Sequence, residues 1–205
     1  MSLAVQDIRS AQAVTVISVA TPATPHRSSA RALVRTALQH TLGSLLDQPA
    51  ASVALVSRPG EGIALDSSRG RVGLSLGHAP GLSIAAICRG ACVGIDLMRL
   101  EDGVENDPNG LRVAYDYLGP QATALLQTTP AADFPVAFAQ AWTRFEACLK
   151  CLGLALTEWS PALGVQLATC RVWCLSFPGQ PSASLATDGH FIGAVAVRTA
   201  QERAR

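Results

Sequence analysis

The pattern of apolar and polar positions predicts short strands through the first half of the chain, with one helix among them. β-Branched and apolar runs bounded by turn-forming residues mark the strands, and these runs cover residues 14–19, 53–57, 63–65, 72–76, 82–88 and 92–98. Arg89-Gly90 predicts a tight hairpin turn between the last two strands. Apolar residues at helical spacing mark the helix, which Ser28 or Ser29 is expected to cap. Its apolar stripe comprises Ala32, Leu33, Ala37, Leu38, Leu42 and Leu45.

The second half is dominated by one long helix. Apolar residues repeat at spacings of four and three between about Pro135 and Leu152, and Gly153 is a typical residue for ending a helix. This apolar face comprises Phe138, Trp142, Phe145, Leu149 and Leu152. Pro120 predicts the start of a short helix. Further strands are predicted at 164–168, 171–176 and 191–197.

Each half thus shows a helix followed by short antiparallel strands, which predicts an α+β fold built from two similar halves. The acidic segment 101–110 carries Pro108 and is interpreted as a linker. The expected halves are residues 1–100 and 101–205, joined in one compact pseudo-dimeric unit. No residue-level repeat is visible, so the order of elements alone suggests a two-fold relation.

Composition narrows the class of protein. Apolar residues make up 49% of the 205 residues and charged residues 15%, which favours a globular chain with a sizeable core. A net charge of +1 gives no global attraction for nucleic acid or a membrane surface, so any anion site must be local. No apolar run is long enough to span a bilayer, and the N-terminus lacks a secretory signal. We therefore expect a cytoplasmic protein with reduced cysteines.

Asp96 is the first candidate for chemistry. It lies in Val93-Gly94-Ile95-Asp96-Leu97-Met98, where strand alternation places residues 94, 96 and 98 on the face opposite two β-branched residues. A carboxylate oxygen in such a place suits Mg²⁺. An aspartate that merely ends a strand is the commoner explanation of this feature taken alone.

Other candidates lie on helices and at strand ends. Glu146 and Lys150 are one turn apart beside the apolar face of the long helix, which also describes an ordinary surface ion pair. His78 follows a strand beside glycines, where it either contacts a phosphate or serves as a loop residue. Arg31 and Arg35 are one turn apart and suit a phosphate, although a solvated helix face is the default.

The six cysteines allow a metal or redox site, but their spacing favours another role. Cys148 and Cys151 have CxxC spacing inside the long helix, without a second pair of that spacing. Cys88 and Cys92 flank the predicted hairpin turn, and Cys170 and Cys174 share a predicted strand face. Small buried apolar side chains explain these thiols better.

The order of these features resembles the 4′-phosphopantetheinyl transferases, in particular their larger monomeric, surfactin-type class. That class carries motifs of the form S-H-S, then G-I-D-x-E, then W-x-x-K-E-x-x-x-K-x-x-G. The corresponding segments here are Gly77-His78-Ala79, Gly94 to Met98, and Trp142 to Gly153. Weaker similarity extends over about residues 27–197.

The resemblance implies a fold, an activity and a set of site residues. It implies two α+β halves with the ligand cleft between them, and transfer of the phosphopantetheine arm of coenzyme A to a serine of an acyl or peptidyl carrier protein. Asp96 and Glu146 match the Mg²⁺ ligands of the family, and Glu146 matches a group that could take the serine proton. Lys150, His78 and Arg31 match contacts to the coenzyme phosphates. A monomer is expected, because one chain already supplies both halves.

Several positions depart from the family pattern. Met98 replaces the glutamate of G-I-D-x-E, and Phe145 replaces the lysine before the motif glutamate. Gly77 and Ala79 replace two serines, and Glu61 stands in a loop that often carries lysine. Thioether sulfur is a poor ligand for a hard cation, although water can fill the vacant position on Mg²⁺. The alternative hypothesis is therefore a catalytically degenerate relative that binds a carrier protein or coenzyme A.

Overall fold

The computed structural model describes residues 3–8, 13–23, 27–57, 62–66, 72–100, 109–177 and 190–199. The strands in these ranges are β1 (Leu3–Ile8), β2 (Val14–Ala20), β3 (Leu55–Ser57), β4 (Ile63–Leu65), β5 (Val72–Ala79), β6 (Leu82–Arg89), β7 (Ala91–Arg99), β8 (Arg171–Leu175) and β9 (Phe191–Thr199). The helices are α1 (Arg27–Leu45), α2 (Gly110–Val113), α3 (Gly119–Gln127), α4 (Phe134–Leu152) and α5 (Pro161–Leu167), with a π-helical turn at Ala114–Leu118. The fold class is α+β, as predicted.

The strands form two antiparallel sheets and a small ribbon. The larger sheet has the order β1-β2-β6-β5, the smaller sheet has the order β7-β9-β8, and β3 pairs with β4. The predicted hairpin between β6 and β7 is wrong, because β7 pairs with β9 in the register Ile95↔Val195. Gly90 does make a turn with φ +78, but that turn carries the chain from one sheet to the other.

The two sheets pack face to face and enclose the main core. Val16 of β2 and Ile84 of β6 meet Ile95 of β7 and Val195 of β9 in one buried cluster. Because the opposite faces of β2 and β6 are also buried, these strands are apolar on both sides. Their continuous apolar runs are therefore a consequence of this layered arrangement.

Each sheet carries one long helix on its outer face. Val34, Leu38 and Leu42 of α1 pack on the larger sheet, and Ala147 and Cys151 of α4 pack on the smaller one. The two-fold relation between the halves and the boundary at residue 100 remain predictions. β7, which that boundary assigns to the first half, lies in the second sheet.

α4 has the predicted length, and Phe145 and Leu149 of the predicted apolar face are buried, but other parts of the helix are buried as well. Small residues approach the sheet, whereas Phe138 and Trp142 are only partly buried and stack on each other with ring centroids 6.0 Å apart. Gly153 ends the helix as predicted, with φ +70 and its N–H bonded to the carbonyl of Lys150. A sheet-facing helix needs small residues where its backbone comes close to a strand, which apolar spacing alone does not reveal.

Two further local predictions are wrong. The segment predicted as a strand at 164–168 belongs mostly to α5, whose start is capped by the Ser160 hydroxyl, which accepts a hydrogen bond from the Leu163 N–H at 3.2 Å. α1 begins at Arg27, so Ser28 and Ser29 lie within the helix and do not cap it. Most of the predicted linker at 101–110 falls outside the described residues. None of the described helices is long and apolar enough to cross a membrane.

Candidate active site

Asp96 lies on the face of β7 that is directed toward α4. Val93, Ile95 and Leu97 are buried in the core, whereas Asp96 and Met98 are partly exposed, which confirms the predicted alternation. Gly94 lies on the same face as Asp96, and a Cβ there would overlap the backbone of α4. The glycine therefore allows α4 to lie directly on β7 beside Asp96.

α4 brings two further predicted residues to Asp96. Glu146, Lys150 and Asp96 line one cavity of about 390 Å³ together with His78 from the end of β5. The remaining lining side chains are Leu76, Leu97, Met98 and Trp142. Side chains from three separate segments, β5, β7 and α4, thus meet in one place.

Lys150 is the charged centre of this cavity. Its ammonium donates to Asp96 Oδ1 at 2.6 Å, to the carbonyl oxygen of Ile95 at 3.2 Å and to that of Leu76 at 3.5 Å. The Asp96 side chain is 14% exposed and that of Lys150 is 33% exposed. This is a partly desolvated ion pair between α4 and β7, not the surface pair with Glu146 that helical spacing alone suggested.

The two carboxylates are held in an environment that favours their neutral forms. Burial raises the pKa of Asp96, although the charge and hydrogen bond of Lys150 oppose the rise. Burial also raises the pKa of Glu146, and the charge of Asp96 raises it further while Lys150 opposes it. The ammonium of Lys150 is thus close to two carboxylates, those of Asp96 and Glu146, so the cavity favours the binding of a further cation.

A pair of hydroxyl groups orients His78. Ser83 faces His78 across the β5–β6 hairpin, and its Oγ lies 2.9 Å from His78 Nδ1. Ser83 is fully buried and its hydroxyl also donates to Thr21 Oγ1 at 3.4 Å. Sequence reasoning missed Ser83, although its position opposite His78 across the turn was an available signal.

A larger cavity of about 960 Å³ adjoins the first and shares Leu76, His78 and Lys150 with it. Arg31 and Arg35 of α1 line this cavity, and none of the described residues around it is acidic. Arg35 is fixed against β3, because its guanidinium donates to Ser57 Oγ at 2.9 Å and to the carbonyl oxygen of Leu55 at 2.8 Å. The predicted phosphate contacts therefore surround one space with a local excess of positive charge.

The departures from the family pattern differ in where they lie. Met98 lines the small cavity, so its thioether does stand beside the two carboxylates. Phe145 is buried with Leu149 and Leu163 in a separate cluster, so the aromatic ring at that position belongs to the core. Glu61 lies outside the described residues.

The six cysteines differ in burial, and Cys92 and Cys170 are partly buried. Cys88, Cys148 and Cys151 are buried as predicted, whereas Cys174 is exposed. Hydrogen bonding to Cys170, followed by burial, raises the pKa of both Cys148 and Cys151. No group of three or more potential ligands that could hold a metal ion occurs in the described part of the chain.

Comparison with known proteins points to one family. Residues 92–185 match the family model described as the 4′-phosphopantetheinyl transferase superfamily. No curated protein matches the chain. The matched segment contains Asp96, Glu146 and Lys150, whereas Arg31 and His78 precede it. The segment that matches the 4′-phosphopantetheinyl transferase superfamily, residues 92–185, therefore carries the two carboxylates and the lysine of the small cavity.

Proposed function

We propose that this protein transfers the 4′-phosphopantetheine arm of coenzyme A to a serine of an acyl or peptidyl carrier protein, with Mg²⁺, and releases 3′,5′-ADP. The observation that carries this proposal is the meeting of Asp96, Glu146 and Lys150 in one cavity, within the segment that matches the superfamily. The cationic cavity beside it offers a place for the phosphates of the coenzyme.

The donor set of the small cavity fits Mg²⁺. Asp96 and Glu146 would supply hard oxygen ligands, and a divalent cation would offset the burial and the repulsion from Asp96 that raise the pKa of Glu146. Mg²⁺ commonly takes one or two carboxylates and completes its coordination with water and substrate phosphates, so Met98 does not preclude binding. When bound, the ion supplies charge neutralisation at the pyrophosphate.

Coenzyme A is assigned to the larger cavity. Arg31 and His78 are proposed to bind its phosphates, and the Thr21–Ser83–His78 contacts would hold the imidazole in one orientation. The space of about 960 Å³ lies near the upper end of the usual range for small-molecule sites, roughly 300–1,000 Å³. Its position next to Glu146 would bring the pyrophosphate within reach of the incoming serine.

The reaction forms a phosphorus–oxygen bond to the carrier serine and breaks the bond between the transferred phosphorus and the oxygen of 3′,5′-ADP. Glu146 is proposed to accept the serine proton as the new bond forms. A pKa raised by burial suits this role, because a general base works best when its pKa approaches the operating pH. Lys150 adds a positive charge at the junction of the two cavities.

A second candidate function is a module that binds a carrier protein or coenzyme A without transfer. Met98 at the small cavity favours it, because the family has a third carboxylate there. Titration calorimetry separates the two functions. Tight carrier binding without Mg²⁺-dependent binding of coenzyme A would support the module. We further propose a cytoplasmic monomer, and sedimentation of the purified chain would test the monomer.

Intact-mass analysis tests the transferase. The protein is mixed with coenzyme A, Mg²⁺ and the apo carrier proteins of the source organism, and a mass gain equal to the phosphopantetheine arm is expected on one carrier. Asp96→Asn and Glu146→Gln should lower the rate by about 10²–10⁴-fold. Glu158→Gln is the matched control, because Glu158 is exposed and lines neither cavity. Absence of product with every carrier, or full activity in Asp96→Asn, would refute the proposal.

A further inference from the structure

The ammonium of Lys150 lies in a niche made of three oxygens, which we call the ammonium niche. It consists of Asp96 Oδ1 at 2.6 Å, the Ile95 carbonyl oxygen at 3.2 Å and the Leu76 carbonyl oxygen at 3.5 Å. A lysine ammonium has three N–H donors and no acceptor, so each donor faces one oxygen of the niche. The ammonium thus serves as the cation of this niche.

The carboxylate of Asp96, which accepts a hydrogen bond from Lys150, is also a candidate ligand of a divalent metal ion. Carboxylate and carbonyl oxygens are ligands of hard cations, and Asp96 is one of the two carboxylates in the cavity. A metal ion on the Asp96 carboxylate would lie close to the ammonium, and the repulsion between close charges is strong in a partly desolvated site. The ammonium in the niche and a metal ion on Asp96 therefore compete.

The ammonium of Lys150 can also lie in the larger cavity, away from Asp96. Its side chain lines the larger, cationic cavity as well as the small one, and it sits on a flexible four-carbon stem. A pyrophosphate in the larger cavity would attract the ammonium out of the niche and leave Asp96 available. The position of the lysine at the junction of both cavities makes it sensitive to both ligands.

We propose that Lys150 is a built-in cation that blocks the metal site of the free protein and is drawn away by the phosphates of the coenzyme. Metal and coenzyme therefore bind together, each tightening the other. The inference rests on the proposed function, because it assumes that Mg²⁺ and coenzyme A are the ligands of the two cavities. Linkage requires the effect to be reciprocal, so the metal tightens the coenzyme by the same factor.

Titration of the full chain with Mn²⁺, followed by the electron paramagnetic resonance of the free ion, tests this inference without measuring transfer. In the unmutated protein, coenzyme A is expected to tighten Mn²⁺ binding by about 5–150-fold, the usual range for coupled sites. Lys150→Met, which removes the charge and keeps the chain length, is expected to bind Mn²⁺ at least about fivefold more tightly without coenzyme A. Coenzyme A should then tighten Mn²⁺ binding by a smaller factor than in the unmutated protein, because only the direct contact of its phosphates with the ion remains.

Two further variants separate charge from structural damage. Lys150→Arg keeps the charge and should bind Mn²⁺ as weakly as the unmutated protein in the absence of coenzyme A. Arg144→Met removes an exposed charge from the same helix, outside both cavities, and should leave Mn²⁺ binding unchanged. If Lys150→Met does not fold, Lys150→Gln takes its place, because it also removes the charge and keeps a polar side chain, and it should likewise bind Mn²⁺ more tightly than the unmutated protein without coenzyme A.

The outcomes distinguish the inference from the proposed function. Equal Mn²⁺ affinity with and without coenzyme A in the unmutated protein would overturn the blocking role of Lys150 while leaving the transferase intact. The same holds if Lys150→Met and the unmutated protein bind Mn²⁺ equally in the absence of coenzyme A. No Mn²⁺ binding under any condition would instead overturn the metal-dependent function itself.

Discussion

Substitution of Gly94 by alanine tests whether the contact between β7 and α4 builds the site. A Cβ at this position would lie 3.0 Å from the Cα of Cys151, and still closer to the carbonyl oxygen of Ala147 and the amide nitrogen of Cys151. These are backbone atoms in the last two turns of α4, so no side-chain rotation can relieve the overlap. α4 would have to move away from β7.

The expected cost follows from that geometry. Ordinary contacts between such atoms are about 3.5 Å or more, so the helix must shift by roughly 1 Å at its point of closest approach. Overpacking of this kind costs about 1–3 kcal/mol of unfolding free energy. For a chain of this size that corresponds to a melting temperature lower by about 2–12 °C. Since α4 also carries Glu146 and Lys150, a shift of this size should reduce the transfer rate about 10²-fold.

The assay is thermal unfolding of Gly94→Ala beside Gly62→Ala, followed by the transfer rate of folded Gly94→Ala beside that of the unmutated protein. A Cβ at Gly62 meets no described atom within 4 Å, so this control should melt at the temperature of the unmutated protein. Equal melting temperatures for the two variants would refute the close approach of α4 to β7. A destabilised Gly94→Ala with an unchanged rate would instead separate that contact from the geometry of the site.

Three further predictions concern the charge, the core and the orientation of the site. The pKa of Glu146 is raised, so the folded state binds the proton of this carboxyl more firmly than the unfolded state does. The protonated carboxyl therefore contributes its full stabilisation below about pH 4, the usual pKa of glutamate. This stabilisation is lost as the pH rises through the pKa of the folded state. Glu146→Gln should therefore be at least as stable as the unmutated protein at pH 7, with a weaker pH dependence above pH ~4 in urea unfolding. Lower stability at pH 7 would contradict this. Phe145→Lys restores the family residue but places a charge in the core. Urea unfolding should therefore show a loss of at least about 3 kcal/mol of unfolding free energy. An unchanged unfolding midpoint would show that the position does not belong to the core. Ser83→Ala removes the partner of His78 Nδ1 and should weaken coenzyme A binding by about 1 kcal/mol, roughly fivefold, in calorimetry. Thr36→Ala, which removes an exposed hydroxyl on the outer helix, should leave this affinity unchanged, and equal affinities for both variants would exclude an orienting role for Ser83.

Periodicity predicted the elements whose signals are local. The strands that lead to Asp96, the long helix and its end at Gly153 all follow from apolar spacing and from the left-handed conformation that glycine accepts. The strand predicted at 164–168 failed because a short apolar run does not distinguish a strand from one or two helical turns. The capping hydroxyl of Ser160 and the following proline were the signals that favoured the helix.

The chemical types of the site residues also came from the sequence alone. Asp96, Glu146, Lys150, His78 and Arg31 were selected by their residue types and by the order of their motifs, and all five line the two adjoining cavities. Their catalytic and binding roles remain proposals. The family match over residues 92–185 supports the general class of transferase.

Only the tertiary structure decided how these residues pair. Helical spacing predicted that Lys150 pairs with Glu146. In the fold the ammonium of Lys150 instead pairs with Asp96, which is 54 positions away in sequence. It also decided that Met98 faces the carboxylates while Phe145 faces the core, and that β7 joins β9 and not β6. The sequence determined which groups are present and which local elements carry them, because periodicity is a property of neighbouring residues. Their mutual distances, burial and charge state depend on how α4 lies on β7, which is settled by contacts between residues distant along the chain.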